Sequence, residues 1–395
     1  MAKIFPFKAV RPKNGDTECF EMLFKEEYSA AGSSPEIIDA PLSSSQKSSK
    51  KFDLMQAGRS FAYLNNRYND FKSQQILIRD PKPAVYIHRI TKEDNEFTGI
   101  ILATSLDDYE KGDIVKHEDT ILPRVERFKE YLAEARFTTE PVLLTYGDDK
   151  KLNKWVKSNM SGKPDYIFET VGHDSHALWK IDDETQLDLL TSLFESIPNL
   201  YIADGHHRCA SSSMLAREDH NAGANCFMSF VIPESQLKIY GFDWMINGLN
   251  GYSETEFLAK LSETFAVTEC ESAFRPKNER EFVMYLHKKA YVLTLRQAPA
   301  TDTIQDPHIL LDTIIRPLLA IEDIRSDRRI GYEPGKNQIG KTLELIDKNV
   351  FDIAFFLCPP KFSSIKKVAD AGLTMPPKST YIEPKFRNAL VVYEL

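Results

Sequence analysis

Residues 200–208, Leu-Tyr-Ile-Ala-Asp-Gly-His-His-Arg, hold the groups from which an anion site is built. Residues 200–203 suit a buried strand. Asp204 and Gly205 break it, and residues 209–217 are small or helix-compatible. A strand that stops at a glycine and opens a helix leaves main-chain N–H groups unpaired at the helix start. The helix dipole adds partial positive charge there, and Arg208 adds a full one. Phosphate is the anion such a turn most often takes. On this reading the planar fork of Arg208 grips phosphate oxygens, and Gly205 lets the backbone approach them. Asp204 coordinates a Mg²⁺ ion or orients a histidine, and His206 is a candidate for proton transfer. The competing reading is a polar surface turn, but two adjacent histidines between an aspartate and an arginine are hard to explain by packing.

Two further segments carry suitable chemistry. In Lys116-His117-Glu118, followed by Thr120 and Arg124, Glu118 is a candidate general base, and Lys116 and His117 are candidate phosphate contacts. A solvated charge cluster with Thr120 capping the next helix reads the same residues without function. In Met375-Pro-Pro-Lys-Ser-Thr-Tyr381, continuing to Glu383-Pro-Lys385, the side chains of Lys378, Ser379 and Thr380 can clamp an anion. A proline-stiffened connection is the plain alternative. A metal reading would combine His117, His206, His207 and Asp204. HExxH is absent, and in an extended segment His206 and His207 point opposite ways.

Residues 335–342, Gly-Lys-Asn-Gln-Ile-Gly-Lys-Thr, match GxxxxGK[ST] literally. The preceding residues 326–332 are too polar for a central parallel strand, and no later apolar run ends in an aspartate suited to Mg²⁺. The match is set aside as a coincidence of a short pattern.

The elements around these segments read as a mixture. Hairpins are expected at 84–106 and at 166–181, and helices at 121–136, 183–196, 253–265, 308–320 and 341–347. Strands are expected at 141–146, 226–232, 237–242, 290–296, 352–358 and 388–395. Serine and lysine dominate residues 43–51. The fold class is α+β, or mixed α/β, with scattered hairpins and helices around mixed sheets and one strand-turn-helix at 200–217. A weakly marked boundary near residue 240 separates residues 1–240, which carry Lys116–Thr120 and Asp204–Arg208, from an α+β region 241–395 that closes back on the site.

With 395 residues, 42% hydrophobic and 27% charged, the chain can bury a sizeable core. A net charge of −8 disfavours non-specific nucleic-acid binding. Five cysteines without a CxxC pair read as reduced cytosolic thiols. No apolar run is long enough to span a bilayer, so neither nucleic acid nor membrane is expected as a partner.

The three motifs KHExT, ADGHHR and MPPKST, in that order, with the opening Phe7-Lys-Ala-Val-Arg-Pro12 and residues 239–249, resemble domain-of-unknown-function family 1015 over essentially the whole chain. The resemblance implies a cytoplasmic protein associated with phosphorylated serine metabolism, and hence serine or phosphoserine as substrate. The Gly-x-His-Arg core at Gly205, His207 and Arg208 is also similar to the phosphate-binding turn of the ParB and sulfiredoxin superfamily, which includes nucleotide-dependent free-serine kinases. That likeness implies that these three residues hold nucleotide phosphates, with ATP or ADP and Mg²⁺ as cofactors. The expected function is phosphoryl transfer between a nucleotide and serine, or the reverse reaction that dephosphorylates phosphoserine, in a monomer or homodimer. A non-catalytic nucleotide-binding regulator and a metal-dependent hydrolase are the alternatives.

Overall fold

The computed structural model describes residues 2–13, 61–169, 174–219, 222–386 and 390–395. The serine- and lysine-rich stretch 43–51 and Cys19 lie outside them. The class is mixed α/β, as expected.

A nine-stranded sheet takes its strands from β1 (Ile4–Phe5), β2 (Val85–Lys92), β3 (Asn95–Ser105), β4 (Ile114–Val115), β5 (Val142–Tyr146), β6 (Tyr166–Glu169), β7 (Ser175–Ile181), β8 (Leu200–Asp204) and β9 (Cys226–Pro233). The spatial order is β4-β8-β5-β9-β3-β2-β7-β6, with β1 also pairing β3. Two pairs, β4 with β8 and β5 with β9, are parallel. Both expected hairpins are present, β2 with β3 and β6 with β7.

Side chains alternate across a strand, and here both faces are buried. Val85, Ile87, Ile100, Leu102, Val142 and Leu144 enter one core. Tyr86, Ile90, Ile101, Ala103 and Leu143 enter the other. Helices Lys150–Asn159 and Glu184–Phe194 cover the first face through Leu152, Trp155, Leu190 and Phe194. Asp149 and Asp183 cap their starts. Helix Phe362–Asp370 and residues Ile382, Leu390 and Tyr393 cover the second. Each fully buried Phe or Leu contributes about 1.5–3 kcal/mol. Gly99 is required by packing, because a Cβ there would sit 2.6 Å from the Phe230 ring.

A second sheet of six strands is antiparallel throughout: β10 (Phe242–Ile246), β11 (Phe265–Cys270), β12 (Glu281–Leu286), β13 (Lys289–Leu295), β14 (Ile330–Pro334) and β15 (Ile353–Leu357), in the order β11-β13-β12-β15-β10-β14. Helix Glu254–Thr264, begun by a capping box at Ser253 and Glu256, packs Phe257 and Leu261 on one face.

The differences from expectation have local causes. Residues 237–242 do not form one strand. The chain breaks at Gly241, whose carbonyl accepts the Gly335 N–H at 2.8 Å. Lys238–Tyr240 pairs with Tyr381–Glu383, and Phe242 enters the second sheet. Of the closing strand at 388–395 only Tyr393–Glu394 is strand, paired with Phe137–Thr138, and residues 388–389 lie outside the described ones. The helix at 308–320 is a short α-helix, Asp306–Leu310, continued by a π-helical turn, Leu311–Ile315. Among the described residues no helix is long and apolar enough to cross a membrane.

One buried polar pair makes stability pH-dependent. His88 on β2 and His176 on β7 meet through Nε2 and Nδ1 at 3.0 Å, and Phe168 stacks on His176. Burial, and secondarily His176, hold His88 well below the ordinary histidine range. His88 is therefore neutral in the folded chain but titrates near 6.5 in the unfolded one. The unfolded state binds the extra proton below that pH, so stability falls as pH falls. The expected loss is about 1.4 kcal/mol per pH unit below ~6.5 from this group. Urea unfolding from pH 7.5 to 5 of the wild type and of His88→Gln checks it: the substitution flattens the slope by about one proton.

Candidate active site

Two parallel strands set the position of the site. Leu200 is paired with Ile114 and Tyr201 with Val115, so β4 and β8 run out at the same end of the sheet. The residues that follow are Lys116, His117 and Glu118 on one strand and Asp204 and Gly205 on the other. Ligands of open α/β sheets bind outside the carboxyl ends of strands. Gly205, at φ +98°, turns the chain into α1 (His206–Ala216), and as a glycine N-cap it offers that helix no side-chain cap.

The three motifs converge. The rings of His117 and His206 meet edge to face, centroids 4.6 Å apart, and the His117 N–H donates to His206 Nε2 at 3.4 Å. The Ile121 N–H donates to His207 Nε2 at 3.0 Å. The two adjacent histidines of α1 thus face different neighbours. Glu118 forms a parallel bridge with Met375, whose N–H donates to the His117 carbonyl at 2.7 Å. The Thr374 hydroxyl donates to Asp119 at 3.0 Å.

Arg208 folds back over the turn. The positive φ favours glycine at 205, and a Cβ there would lie 2.9 Å from Arg208 Nε, so a larger residue would push that side chain aside. One guanidinium nitrogen pairs with Glu140. Another lies 3.6 Å from Asp204 Oδ2, which also accepts from Lys385 Nζ at 3.1 Å. Arg208 Nε is buried without a partner. Burial alone would raise the Asp204 carboxyl, but Lys385 and Arg208 outweigh it and hold it at about 2. Burial works against the charge on Arg208, and Glu140 and Asp204 more than restore it. His117 is lowered to about 4, chiefly by burial, and burial with His117 takes His206 well below its usual range. Both imidazoles are neutral at pH 7.

The cleft at this end has a volume of about 240 Å³ and is lined by Tyr109, Lys116, Glu118, Asp119, Thr120, His206 and Arg325. Lys116 and Arg325 are exposed in it. Of the expected residues only Lys116, Glu118 and His206 line it; His117, Asp204, Gly205, His207 and Arg208 adjoin it in the chain without lining it, and the third motif lies off its walls. Lys378 Nζ sits 5.4 Å from the centre of the Phe242 ring. The Ser379 hydroxyl donates to the Pro376 carbonyl at 2.6 Å within its own turn, and Thr380 is not among the lining residues. Three groups carry no local sequence signal: Glu140, Tyr109 and Arg325. Lys385 lay inside a recognisable motif, but only the fold gives it Asp204 as a partner.

The GKNQIGKT segment links edge strand β14 to α2 (Ile339–Asp347). Lys341 pairs with Glu333 at 2.6 Å, and Thr342 donates to the buried Asp243 at 2.9 Å.

Several solved structures are similar to this chain. A conserved hypothetical protein from Pyrococcus furiosus has 15% identity and a TM-score of 0.38, covering 75% of this chain and 94% of that one. A free serine kinase in complex with ADP has 15% identity and a TM-score of 0.40, covering 76% and 94%. SbnI from Staphylococcus aureus, truncated at its C-terminus, has 14% identity and a TM-score of 0.41, covering 73% and 84%. At these TM-scores the likeness carries no argument about ligand or reaction. No curated protein matches the chain. The family described as protein of unknown function, DUF1015, matches residues 4–314, well over half of the sequence, and the chain belongs to that family.

Proposed function

We propose that this chain is an enzyme of serine metabolism that moves a phosphoryl group between a nucleotide and serine. The observation that carries the reading is the half-buried Arg208 guanidinium, folded over Gly205 at a helix start whose N-cap is a glycine, with its buried Nε lacking a partner. Phosphoryl transfer needs positioning and charge neutralisation more than a strong nucleophile. The helix-start N–H groups and Arg208 supply oriented positive charge, and Lys116 and Arg325 supply mobile charge across the cleft. His207 serves by fixing the segment after Glu118 through its bond from Ile121. Serine, rather than another hydroxyl compound, is the contribution of the family resemblance.

In the forward direction Glu118 accepts the proton of the serine hydroxyl as its oxygen attacks the terminal phosphorus. The bond from that phosphorus to the nucleoside diphosphate breaks, and the diphosphate leaves. In reverse, phosphoserine and ADP give serine and ATP. Asp204 is tied to Lys385 and Arg208, so its part is to hold Arg208 in place. Mg²⁺ entering with the nucleotide would neutralise phosphate charge, and the Asp119 carboxylate on the cleft wall is the residue that would hold it.

Incubation with phosphoserine, with and without ADP, tests the reading. ATP formation that requires ADP supports it. Phosphate release without ADP indicates a hydrolase, and nucleotide binding with no product indicates a regulator. Glu118→Gln is expected to lower turnover by about 10²–10⁴-fold while sparing nucleotide affinity, and Arg208→Ala to abolish binding. Gly205→Ala is expected to cost about 1–3 kcal/mol of stability by denaturant unfolding and to weaken nucleotide binding measured by calorimetry, because the new methyl displaces Arg208.

A further inference from the structure

We infer that His117, Glu118 and His206 form a binding site for one divalent transition-metal ion of the zinc class, with its open coordination positions facing the cleft. One ligand atom from each residue lies within 4.8 Å of the other two. In a tetrahedral site with bonds of about 2.0–2.2 Å, ligand atoms stand on the order of 3.5 Å apart. Side-chain adjustments of about 1 Å therefore close the set.

A second, independent observation points to a ligand. His117 is 2% exposed, and its Nε2 is buried with no hydrogen-bond partner. Leaving such a nitrogen unsatisfied is costly, and a bound metal would satisfy it. The main chain of Ile202 interacts with the same imidazole and favours a proton on it; with Nε2 unpartnered, that proton belongs on the ring's other nitrogen. That arrangement keeps the proton away from Nε2 and orients its lone pair, as outer-shell partners of metal-binding histidines do. His206 is 6% exposed. Its Nε2 contact with the His117 N–H, at 3.4 Å, is long for a hydrogen bond and gives way to a coordinate bond.

Ligand chemistry selects the ion. Two imidazoles and one carboxylate suit zinc, manganese or ferrous iron, whereas Mg²⁺ prefers oxygen alone. The ligands come from two segments, and two of them, Glu118 and His206, line the cleft. Catalytic sites keep that pattern: three protein ligands and an open position. A carboxylate bound through one oxygen retains the other, so ligation does not remove Glu118 as a proton acceptor. The inference goes beyond the phosphoryl-transfer reading and stands without it.

The test uses the full chain, stripped with a chelator and titrated with Zn²⁺ against a chromophoric competitor, with Mg²⁺ in parallel. One equivalent of Zn²⁺ bound in at least tenfold preference to Mg²⁺ is expected, and Co²⁺ in its place should give visible absorption bands of a site with nitrogen ligands. His117→Gln and Glu118→Gln should each weaken Zn²⁺ binding at least tenfold, while His287→Gln, at an exposed and distant histidine, should not. The cleft-wall variant Glu118→Gln decides if His117→Gln fails to fold by circular dichroism. Absence of stoichiometric Zn²⁺, or unchanged affinity in folded Glu118→Gln, overturns the inference. Zn²⁺ binding with no transfer activity would sink the phosphoryl-transfer reading and leave the metal site. Transfer activity with no Zn²⁺ site would do the reverse.

Discussion

The parallel pairing of β4 with β8 is the constraint on which the site depends. Two strands that leave a sheet at the same end deliver whatever follows them to the same place, and here that is Lys116-His117-Glu118 beside Asp204-Gly205-His206. A slip of one residue would turn every side chain to the other face and part His117 from His206. Yet β4 is only two residues long. Its register is held from before: Ser105 caps helix Leu106–Lys111, Gly112 ends it in the left-handed region, and the Asp113 carbonyl accepts the Leu200 N–H at 3.2 Å. The first turn of β8 is thus pinned by the chain that leads into β4.

Charge at the turn is arranged by the same logic. Glu140, Asp204, Arg208 and Lys385 make two acids and two bases in alternation. Burying such groups is costly unless each is paired, and the pairing here is complete enough to keep Asp204 ionised at about 2. The cluster is formally neutral, so it orients Arg208 without cancelling the positive end of α1. An anion arriving at the helix start meets dipoles already in place, which is the condition under which such groups are most effective.

Much of this was legible in the sequence where the determinants are local. The hairpins at 84–106 and 166–181 carry turn residues between apolar runs, the capping box at Ser253 announces its helix, and the strand-turn-helix at 200–217 is written in consecutive residues. The lysine-rich helix Lys150–Asn159 escaped notice, although Leu152, Trp155 and Val156 lie at helical spacing. Around the turn, residue types singled out His117, Glu118, His206 and Arg208 as candidates, but their partners were hidden. Glu140 and Arg325 acquire meaning only when segments far apart in sequence are folded against the turn. Which neighbour His207 would meet was equally illegible, because it depends on where Ile121 lies.

The contrast between residues 204–208 and 335–342 separates a candidate site from a bare pattern. The second segment has the better-known spelling, a strand, a glycine-bearing loop and a helix. But β14 is an antiparallel edge strand, so its carboxyl end opens onto no parallel neighbour. Its lysine is paired with Glu333 and its threonine with Asp243, and a Cβ at Gly335 would lie 2.4 Å from the Gly241 carbonyl. The groups that would receive a phosphate are satisfied within the fold. At Gly205 the N-cap residue offers no side-chain cap, Arg208 Nε lacks a partner, and His117 Nε2 on the adjacent motif lacks one too. Buried polar groups are almost always paired in folded proteins. Arg208 Nε and His117 Nε2 are exceptions, as Trp155 Nε1 and Trp244 Nε1 are within the cores, and the proposal that this turn is a site rests on the first two lying on flanking motifs at one end of the sheet.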